Sequence, residues 1–217
     1  MTKRAYALDA LRGYAIITMV LSATVAWNSL PGWMYHAQTP PPDRAFDASL
    51  SGITWVDLVF PFFLFAMGAA FPFSIKKRFE KGDTKLRLVY EAIKRGVQLT
   101  FFAIFIQHFY PYMLSSPQDM RAWLLAILCF VVLFPMFMRI PLKMPDWAHI
   151  SIKVGAYIVA AIMLATTSYA DGKTFSLFSS NIIILLLANM AIFGSILYIF
   201  TMHNRWMRLG ILILLMA

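Results

Sequence analysis

The strongest constraint on this chain is a series of long apolar runs, each about as long as a helix that crosses a lipid bilayer. Such a helix needs roughly 20 mostly apolar residues, and in lipid its backbone groups have to bond to one another. Six segments qualify, within a few residues at each end: 10–30, 54–75, 96–114, 122–138, 152–169 and 180–202. A seventh begins near Leu209 and is too short to span by Ala217.

The runs predict an all-α fold, a polytopic integral membrane helix bundle with six complete transmembrane helices and the start of a seventh. Hydrophobic residues make up 60% of the chain and charged residues 13%, against roughly a quarter charged in soluble domains. We find no linker and no soluble domain, so residues 1–217 are predicted to form a single transmembrane domain. The truncated seventh run predicts that they are the N-terminal part of a longer protein.

The net charge of +9 does not indicate nucleic acid as a partner. A nucleic-acid surface needs lysine and arginine clustered on a soluble element, whereas here they lie between the apolar runs. We therefore expect membrane lipid, and no nucleic acid, to face these charges. Cys129 is the only cysteine and lies inside an apolar run, which excludes a metal site built on several cysteines. We expect no metal.

The basic residues also predict the orientation, because short loops rich in lysine and arginine stay in the cytoplasm. Alternating spans place 16 of the 19 basic residues on one side. Only Arg44, Arg121 and Lys173 fall on the other side. The N-terminus is predicted to be cytoplasmic, in the bacterial inner membrane, with the connection between the first two helices outside.

That first outer loop carries a candidate catalytic histidine, His36, ahead of the proline run at 40–42. Three successive prolines favour a stiff extended backbone, which can hold a side chain in place. Imidazole titrates near neutral pH, so His36 can act as an outward-facing general base or nucleophile. The alternative is a histidine at the level of the lipid headgroups that only forms hydrogen bonds.

Asp57 is the second candidate, one turn into the second predicted helix. An ionisable residue inside a span is costly and usually faces a cavity or a partner. Pro61 lies four residues later and cannot donate to the Asp57 carbonyl, so a carboxylate and a freed carbonyl occur at one level. Two interpretations remain: a polar pocket beside His36, or a first-turn aspartate that the helix dipole stabilises.

A third group of charges is predicted at the inner ends of the first helices. Asp9 and Arg12 are three residues apart and can form an ion pair on one helix face. With Lys76, Lys77 and Arg95, this pair is either a headgroup-level cluster that binds phospholipid or the binding site of an anionic cytoplasmic ligand. Polar residues elsewhere in the spans, including His108 and Asn181, are expected to bond helix to helix.

Several of these residues also form motifs of a known family. They are Arg4, residues 8–13 (Leu-Asp-Ala-Leu-Arg-Gly), His36-Ala37, and residues 57–68 (Asp-Leu-Val-Phe-Pro-Phe-Phe-Leu-Phe-Ala-Met-Gly). In these motifs the chain resembles the transmembrane acyltransferases related to heparan-alpha-glucosaminide N-acetyltransferase, most closely their uncharacterised bacterial, DUF5009-like branch. The motifs lie within residues 1–75; Ala23 stands where that enzyme has an asparagine, and Asn28 is a substitute for it.

The resemblance implies an enzyme that takes an acyl group, typically acetyl from acetyl-CoA, on the cytoplasmic side and delivers it to a sugar or glycan acceptor outside. It maps the family's catalytic histidine onto His36. Acetyl-CoA is then the acyl-donor substrate, and Asp9, Arg12, Lys76, Lys77 and Arg95 are the residues expected to bind it. Direct transfer and a covalent acyl intermediate both stay open, as does assembly of identical copies.

Two other classes compete with this interpretation. A transporter of a sugar or amphiphile would use the same helices without covalent chemistry, and would be expected to show interrupted helices and paired halves. A structural or partner-binding membrane subunit would need no reactive residue at all. His36 and Asp57 are the residues that favour an enzyme over both.

Overall fold

The computed structural model describes residues 6–24, 29–39, 45–138, 144–172 and 174–216. Every regular element in these ranges is a helix, as the apolar runs predicted. Several residues that entered the sequence analysis lie outside the described ranges: Lys3, Arg4, Asn28, the proline run 40–42, Arg44, Arg139, Lys143 and Lys173.

The longer helices follow the predicted runs closely. In chain order, the α-helices of the described residues are α1 (Tyr6–Thr24), α2 (Trp55–Glu80), α3 (Lys85–His108), the short α4 (Pro111–Leu114), α5 (Met120–Phe137), α6 (Asp146–Thr166), α7 (Ile182–Asn189), α8 (Ser195–Thr201) and α9 (Arg205–Met216). Single 3₁₀ turns occur at Gly32–Met34 and Ala170–Gly172. A π-helical turn, Met190–Gly194, joins α7 to α8 in one apolar helix.

Among the described residues, four helices are long and apolar enough to cross a membrane, where the sequence analysis predicted six complete spans. The four are Trp55–Glu80, Met120–Phe137, Asp146–Thr166 and Ile182–Thr201. The predicted first span, 10–30, runs into residues 25–28, which lie outside the described ranges. Its described part is α1, which carries Asp9 and Arg12 in its first two turns.

The predicted third span, 96–114, is interrupted in the structure. The helix that contains it, α3, ends at His108, and the separate α4 begins at Pro111. The preceding half of α3 carries Lys85, Arg87, Glu91, Lys94 and Arg95. Only residues 96–108 are helical and uncharged, which at a rise of about 1.5 Å per residue covers roughly 20 Å of a hydrocarbon core about 30 Å thick.

The packing divides the chain into two compact units, Met1–Lys94 with Asn189–Ala217, and Arg95–Ala188. The prediction of one transmembrane domain did not distinguish them. In the first unit α1 and α2 pack against each other in opposite directions. The guanidinium of Arg12 lies 3.4 Å from the Ala66 carbonyl, and the rings of Tyr14 and Phe62 are 6.3 Å apart. A small core of Ile75, Leu88 and Ile199 closes the other end of α2.

The π-helical turn packs closely on α2 within the first unit. A Cβ atom on Gly194 would lie 2.9 Å from Cε2 of Phe71 and 3.3 Å from Sδ of Met190. Gly194 is therefore required by close approach and not by an unusual φ. Pro72 follows Phe71 in α2 and cannot donate a hydrogen bond to the Gly68 carbonyl. Where the π-helical turn packs on α2, the regular α-helical hydrogen bonding is therefore interrupted in both segments.

The second unit is built around an apolar core between α3, α5 and α6. Its most buried large side chains are Phe105, Phe109, Cys129, Met136, Met163 and Leu164. Asn181 ties the start of α7 to this core, because its amide N–H donates to the Ala103 carbonyl at 3.0 Å and its side chain donates to the Tyr110 hydroxyl at 3.3 Å. The expected helix-to-helix bonding is confirmed for this residue.

The contact at Gly194 generates a stability prediction. Gly194→Leu should destabilise the purified protein by about 1–3 kcal/mol, because the added side chain overlaps Phe71 and Met190. A loss of that size lowers Tm by several degrees. The matched control is Gly155→Leu in α6, where an added Cβ meets nothing within 4 Å. Thermal unfolding in detergent should show no loss for Gly155→Leu, and equal Tm values for both variants would contradict the close approach.

Candidate functional site

The described part of the loop that carries His36, residues 29–39 and 45–54, is held in place by hydrogen bonds. Tyr35 is buried, with 7% of its surface exposed, and its hydroxyl accepts the Leu30 N–H at 3.1 Å. Its carbonyl accepts the Thr54 hydroxyl at 2.6 Å. His36 therefore follows a residue that is fixed both to the beginning of the loop and to the residue that precedes α2.

Gln38 closes the far side of the same loop. Its carbonyl accepts the Asp47 N–H at 2.8 Å, and its side-chain amide lies 3.3 Å from the carbonyls of both Leu50 and Gly52. Gly52 has a φ of +141°, a conformation that glycine adopts at little cost. These bonds hold residues 35–39 against the segment that leads into α2.

Asp57 is the residue on which the start of α2 and the loop converge. It occupies the third position of the helix, and its Oδ2 accepts the Thr54 N–H at 2.9 Å, the acidic half of a capping box. The same oxygen accepts the Ala37 N–H at 3.4 Å and lies 3.0 Å from the Thr54 hydroxyl. The carboxylate is thus fixed by backbone groups on both sides.

The other oxygen, Oδ1, bonds to Nδ1 of His36. The structure therefore brings together the two predicted catalytic residues, which are 21 positions apart in the chain. A carboxylate accepts and does not donate, so Nδ1 carries the proton in this bond and Nε2 is left with its lone pair. That is the arrangement in which a carboxylate selects the tautomer of a general base.

The exposure of the two side chains differs in a way that suits this arrangement. The His36 side chain is 56% exposed and that of Asp57 is 21% exposed. The orienting group is therefore largely enclosed, while the imidazole is open to an incoming molecule. Further along the loop, the Ser49 hydroxyl and backbone N–H hold the pKa of Asp47 below its usual range.

His108, which the sequence analysis expected to form hydrogen bonds between helices, is buried at the end of α3 and not open to a substrate. It is 1% exposed, and its Nδ1 lies 2.8 Å from the Ile104 carbonyl. Its Nε2 accepts the Ser176 N–H at 3.2 Å, and the rings of Tyr169 and Phe175 pack against it. Both nitrogens are therefore used in holding the α6–α7 connection to the end of α3.

The predicted ion pair between Asp9 and Arg12 is present, with 3.9 Å between Oδ1 and Nη1. The structure does not place it at the level of Lys76. Arg12 contacts the Ala66 carbonyl, ten residues before Lys76 on α2, which corresponds to about 15 Å along the helix. The Arg12 guanidinium therefore lies about halfway between the His36–Asp57 pair and the basic end of α2.

The basic end of α2 is only partly neutralised by neighbouring carboxylates. Arg78 and Arg87 both bond to Asp83, at 2.8 and 3.2 Å, and Lys76 lies 3.9 Å from Glu80. Lys77 is exposed and makes no ion pair among the described residues. Arg95 begins the second unit, so its predicted partnership with Lys76 and Lys77 stays a prediction.

Sequence reasoning missed three residues that build the site. Thr54 and Tyr35 fix the loop to the helix start, and only the spacing of Thr54 three residues before Asp57 signalled a cap in advance. Trp55, the first residue of α2, has a buried indole N–H that finds no hydrogen-bond acceptor among the described residues. A buried donor without an acceptor is unusual in a native structure, and it is available to an oxygen of a bound molecule.

The described residues contain no group of three or more histidine, cysteine, aspartate or glutamate side chains placed to hold a metal ion.

Comparison with known proteins identifies the family and not an activity. No curated protein matches the chain. No solved structure matches it either. A family profile described as "Domain of unknown function (DUF5009)" matches residues 4–217, nearly the whole chain. The chain therefore belongs to the DUF5009 family.

Proposed function

We propose that this protein is a membrane acyltransferase in which His36 transfers an acyl group from an acyl-CoA to a sugar or glycan acceptor on the opposite side of the membrane. The observation that supports it is the bond between Asp57 and Nδ1 of His36, which leaves Nε2 free on the exposed side. A pair of this kind does two things that acyl transfer needs: it removes a proton, and it stabilises the resulting imidazolium.

Two routes are compatible with a free Nε2. In direct transfer, Nε2 takes the proton of the acceptor amine or hydroxyl while that atom attacks the thioester carbonyl, and the departing CoA thiolate takes the proton back. In covalent transfer, Nε2 itself attacks the carbonyl and CoA thiolate leaves; the acceptor then attacks the acyl-imidazole and loses its proton to solvent. Asp57 has the same positioning role in both.

The length of α2 supports transfer across a membrane. Asp57 and Lys76 are 19 residues apart on one helix, a separation of about 28 Å, close to the thickness of a hydrocarbon core. The His36–Asp57 pair and the basic cluster therefore belong to opposite faces. With the excess of positive charge in the cytoplasm, the N-terminus is cytoplasmic and His36 faces outward, in the inner membrane of a bacterium.

The charges on α1 and α2 suit an acyl-CoA donor. Lys77 and Lys76 can neutralise the nucleotide phosphates at the inner end. Arg12 belongs to α1, and its guanidinium lies beside the middle of α2. There it offers N–H groups to the amide oxygens of the long arm of CoA that connects the nucleotide to the thioester. Asp9 holds Arg12 in that position. Arg95 is a further candidate for the phosphates.

A transporter of a sugar or amphiphile is the second candidate, favoured by one specific observation. The apolar helix 182–201 contains the π-helical turn Met190–Gly194, and α2 contains Pro61 and Pro72. Irregular backbone at membrane depth is common where transporters bind substrate. The two functions differ in outcome, because a transporter moves its substrate unchanged.

The first prediction concerns His36. Full-length protein in vesicles, given acetyl-labelled acetyl-CoA on the face that carries Lys77 and an amino sugar on the other, should form labelled acetyl-sugar. His36→Ala should reduce this rate by about 10²–10⁴-fold, the usual contribution of a general base. His203→Ala, an exposed histidine at the basic end, is the matched control and should retain the wild-type rate.

The outcome separates the candidate functions. Retained transfer in His36→Ala would eliminate both roles proposed for the residue. Sugar accumulating inside the vesicles without an acetyl group would establish the transporter instead.

The second prediction concerns Asp57. Asp57→Asn should lower the transfer rate by about 10²-fold or more, because the amide can neither select the Nδ1–H tautomer nor stabilise the imidazolium. Equilibrium binding of CoA should be unchanged, since the donor nucleotide lies at the other end of α2. Asp47→Asn, which changes a loop carboxylate that accepts hydrogen bonds from Ser49, is the control. A rate within a few-fold of wild type for Asp57→Asn would remove Asp57 from the mechanism.

The third prediction concerns orientation. In a Cys129→Ala background, a cysteine at Phe46, which is 75% exposed, should react with an impermeant maleimide in intact cells. A cysteine at Lys81, which is exposed at the end of α2, should react only after the membrane is permeabilised. The reverse pattern would overturn the topology.

A further inference from the structure

A second candidate binding site lies in the other unit, where α5 ends and α6 begins. Both helices are long and apolar enough to span a membrane, they pack against each other, and only eight residues separate Phe137 from Asp146. Their neighbouring ends therefore lie at the same membrane face. A cavity of about 590 Å³ opens there between the last turn of α5 and the first two turns of α6, within the range usual for ligand sites.

Among the described residues, the polar side chains that line this cavity all come from α6. Asp146, His149 and Lys153 line it. Within the described part of the chain, none of the three side chains makes a hydrogen bond or an ion pair. Asp146 is exposed, whereas His149 and Lys153 are half-buried. An unpaired cation inside the length of a spanning helix is costly and usually has a counter-charge, so we expect a bound group to supply one.

The order of the charges along α6 indicates what that group is. Positions 146, 149 and 153 share one helix face, since residues three, four and seven apart lie above one another. Lys153 is seven residues deeper than Asp146, or about 10 Å along the axis. From the membrane surface inward, the site therefore presents a negative charge, an imidazole and then a positive charge.

We infer that this cavity binds the headgroup of a zwitterionic aminophospholipid such as phosphatidylethanolamine. In such a lipid the ammonium lies outermost and the phosphate lies next to the glycerol, deeper in the membrane. The ammonium then faces Asp146, and the phosphate faces Lys153 and His149. Phe137, Met138 and Ile150 give the cavity an apolar wall along which the glycerol and the first acyl methylenes pack.

The same order of charges disfavours the alternatives. An anionic phosphatidylglycerol supplies a phosphate for Lys153 but leaves Asp146 with no cation. Free phosphoethanolamine supplies both charges but cannot use the apolar wall. The lipid is therefore preferred over each, and the preference over phosphatidylglycerol depends on Asp146.

The test uses the full-length protein, delipidated in detergent, with lipid binding followed by native mass spectrometry. Phosphatidylethanolamine should bind more tightly than phosphatidylglycerol with the same acyl chains. Lys153→Gln should weaken phosphatidylethanolamine binding by about ten-fold or more, the expected loss of a charge-assisted bond to phosphate. Lys81→Gln, which removes a lysine at the end of α2, is the matched control and should bind as wild type does.

Two further sets of measurements test whether the order of the charges matters and whether the ligand is a lipid or a free headgroup. Asp146→Asn should abolish the preference for phosphatidylethanolamine over phosphatidylglycerol while leaving Lys153-dependent binding of both. A double variant with Asp146→Lys and Lys153→Asp keeps the net charge but reverses the order of the charges. It should no longer bind phosphatidylethanolamine. Equal binding to Lys153→Gln and Lys81→Gln, equal affinity of the wild type for both lipids, or displacement by stoichiometric soluble phosphoethanolamine would each overturn the inference.

Discussion

The carboxylate of Asp57 is the point on which the arrangement of the first unit depends. One of its oxygens accepts the backbone N–H groups of Thr54 and Ala37, and the other bonds to His36. A charged group this close to a hydrocarbon core is stable only when its lone pairs are used. The bonds that make it stable also fix the imidazole, so the cap of α2 and the orientation of the His36 ring are one structural feature.

Tyr35 extends that constraint into the loop. Its buried ring and its two backbone-linked bonds place His36 at the edge of the folded segment and not within it. The loop thus combines a fixed backbone with an open imidazole side chain, which is what the proposed role of His36 as a general base requires. His108 is the opposite case. Its ring is buried and both of its nitrogens form hydrogen bonds, so its role is to stabilise the fold of the second unit.

The apolar runs predicted most of the long helices, because a segment inside lipid has to satisfy its own backbone hydrogen bonds. The ionisable residues next to these runs were recognisable because charged groups are costly in lipid. The runs at 54–75, 122–138, 152–169 and 180–202 correspond to helices of the structure, with ends that differ by at most six residues. His36 and Asp57 were both singled out. The contact between them was not derivable, since it depends on Tyr35, Thr54 and Gln38 folding the loop, and irregular loops leave no periodic signal. The depth of Arg12 was missed because a position in α1 indicates depth only once its packing on α2 is known.

The π-helical turn at Met190–Gly194 changes the direction in which the side chains of the helix 182–201 point. One extra residue in a turn rotates everything that follows by about 100° relative to a regular α-helix. Residues up to Ala188 pack with the second unit, and those from Asn189 with the first. The turn thus sets the direction in which the apolar side chains of α8 face α2, and deleting a single residue from it would rotate those side chains by about 100°.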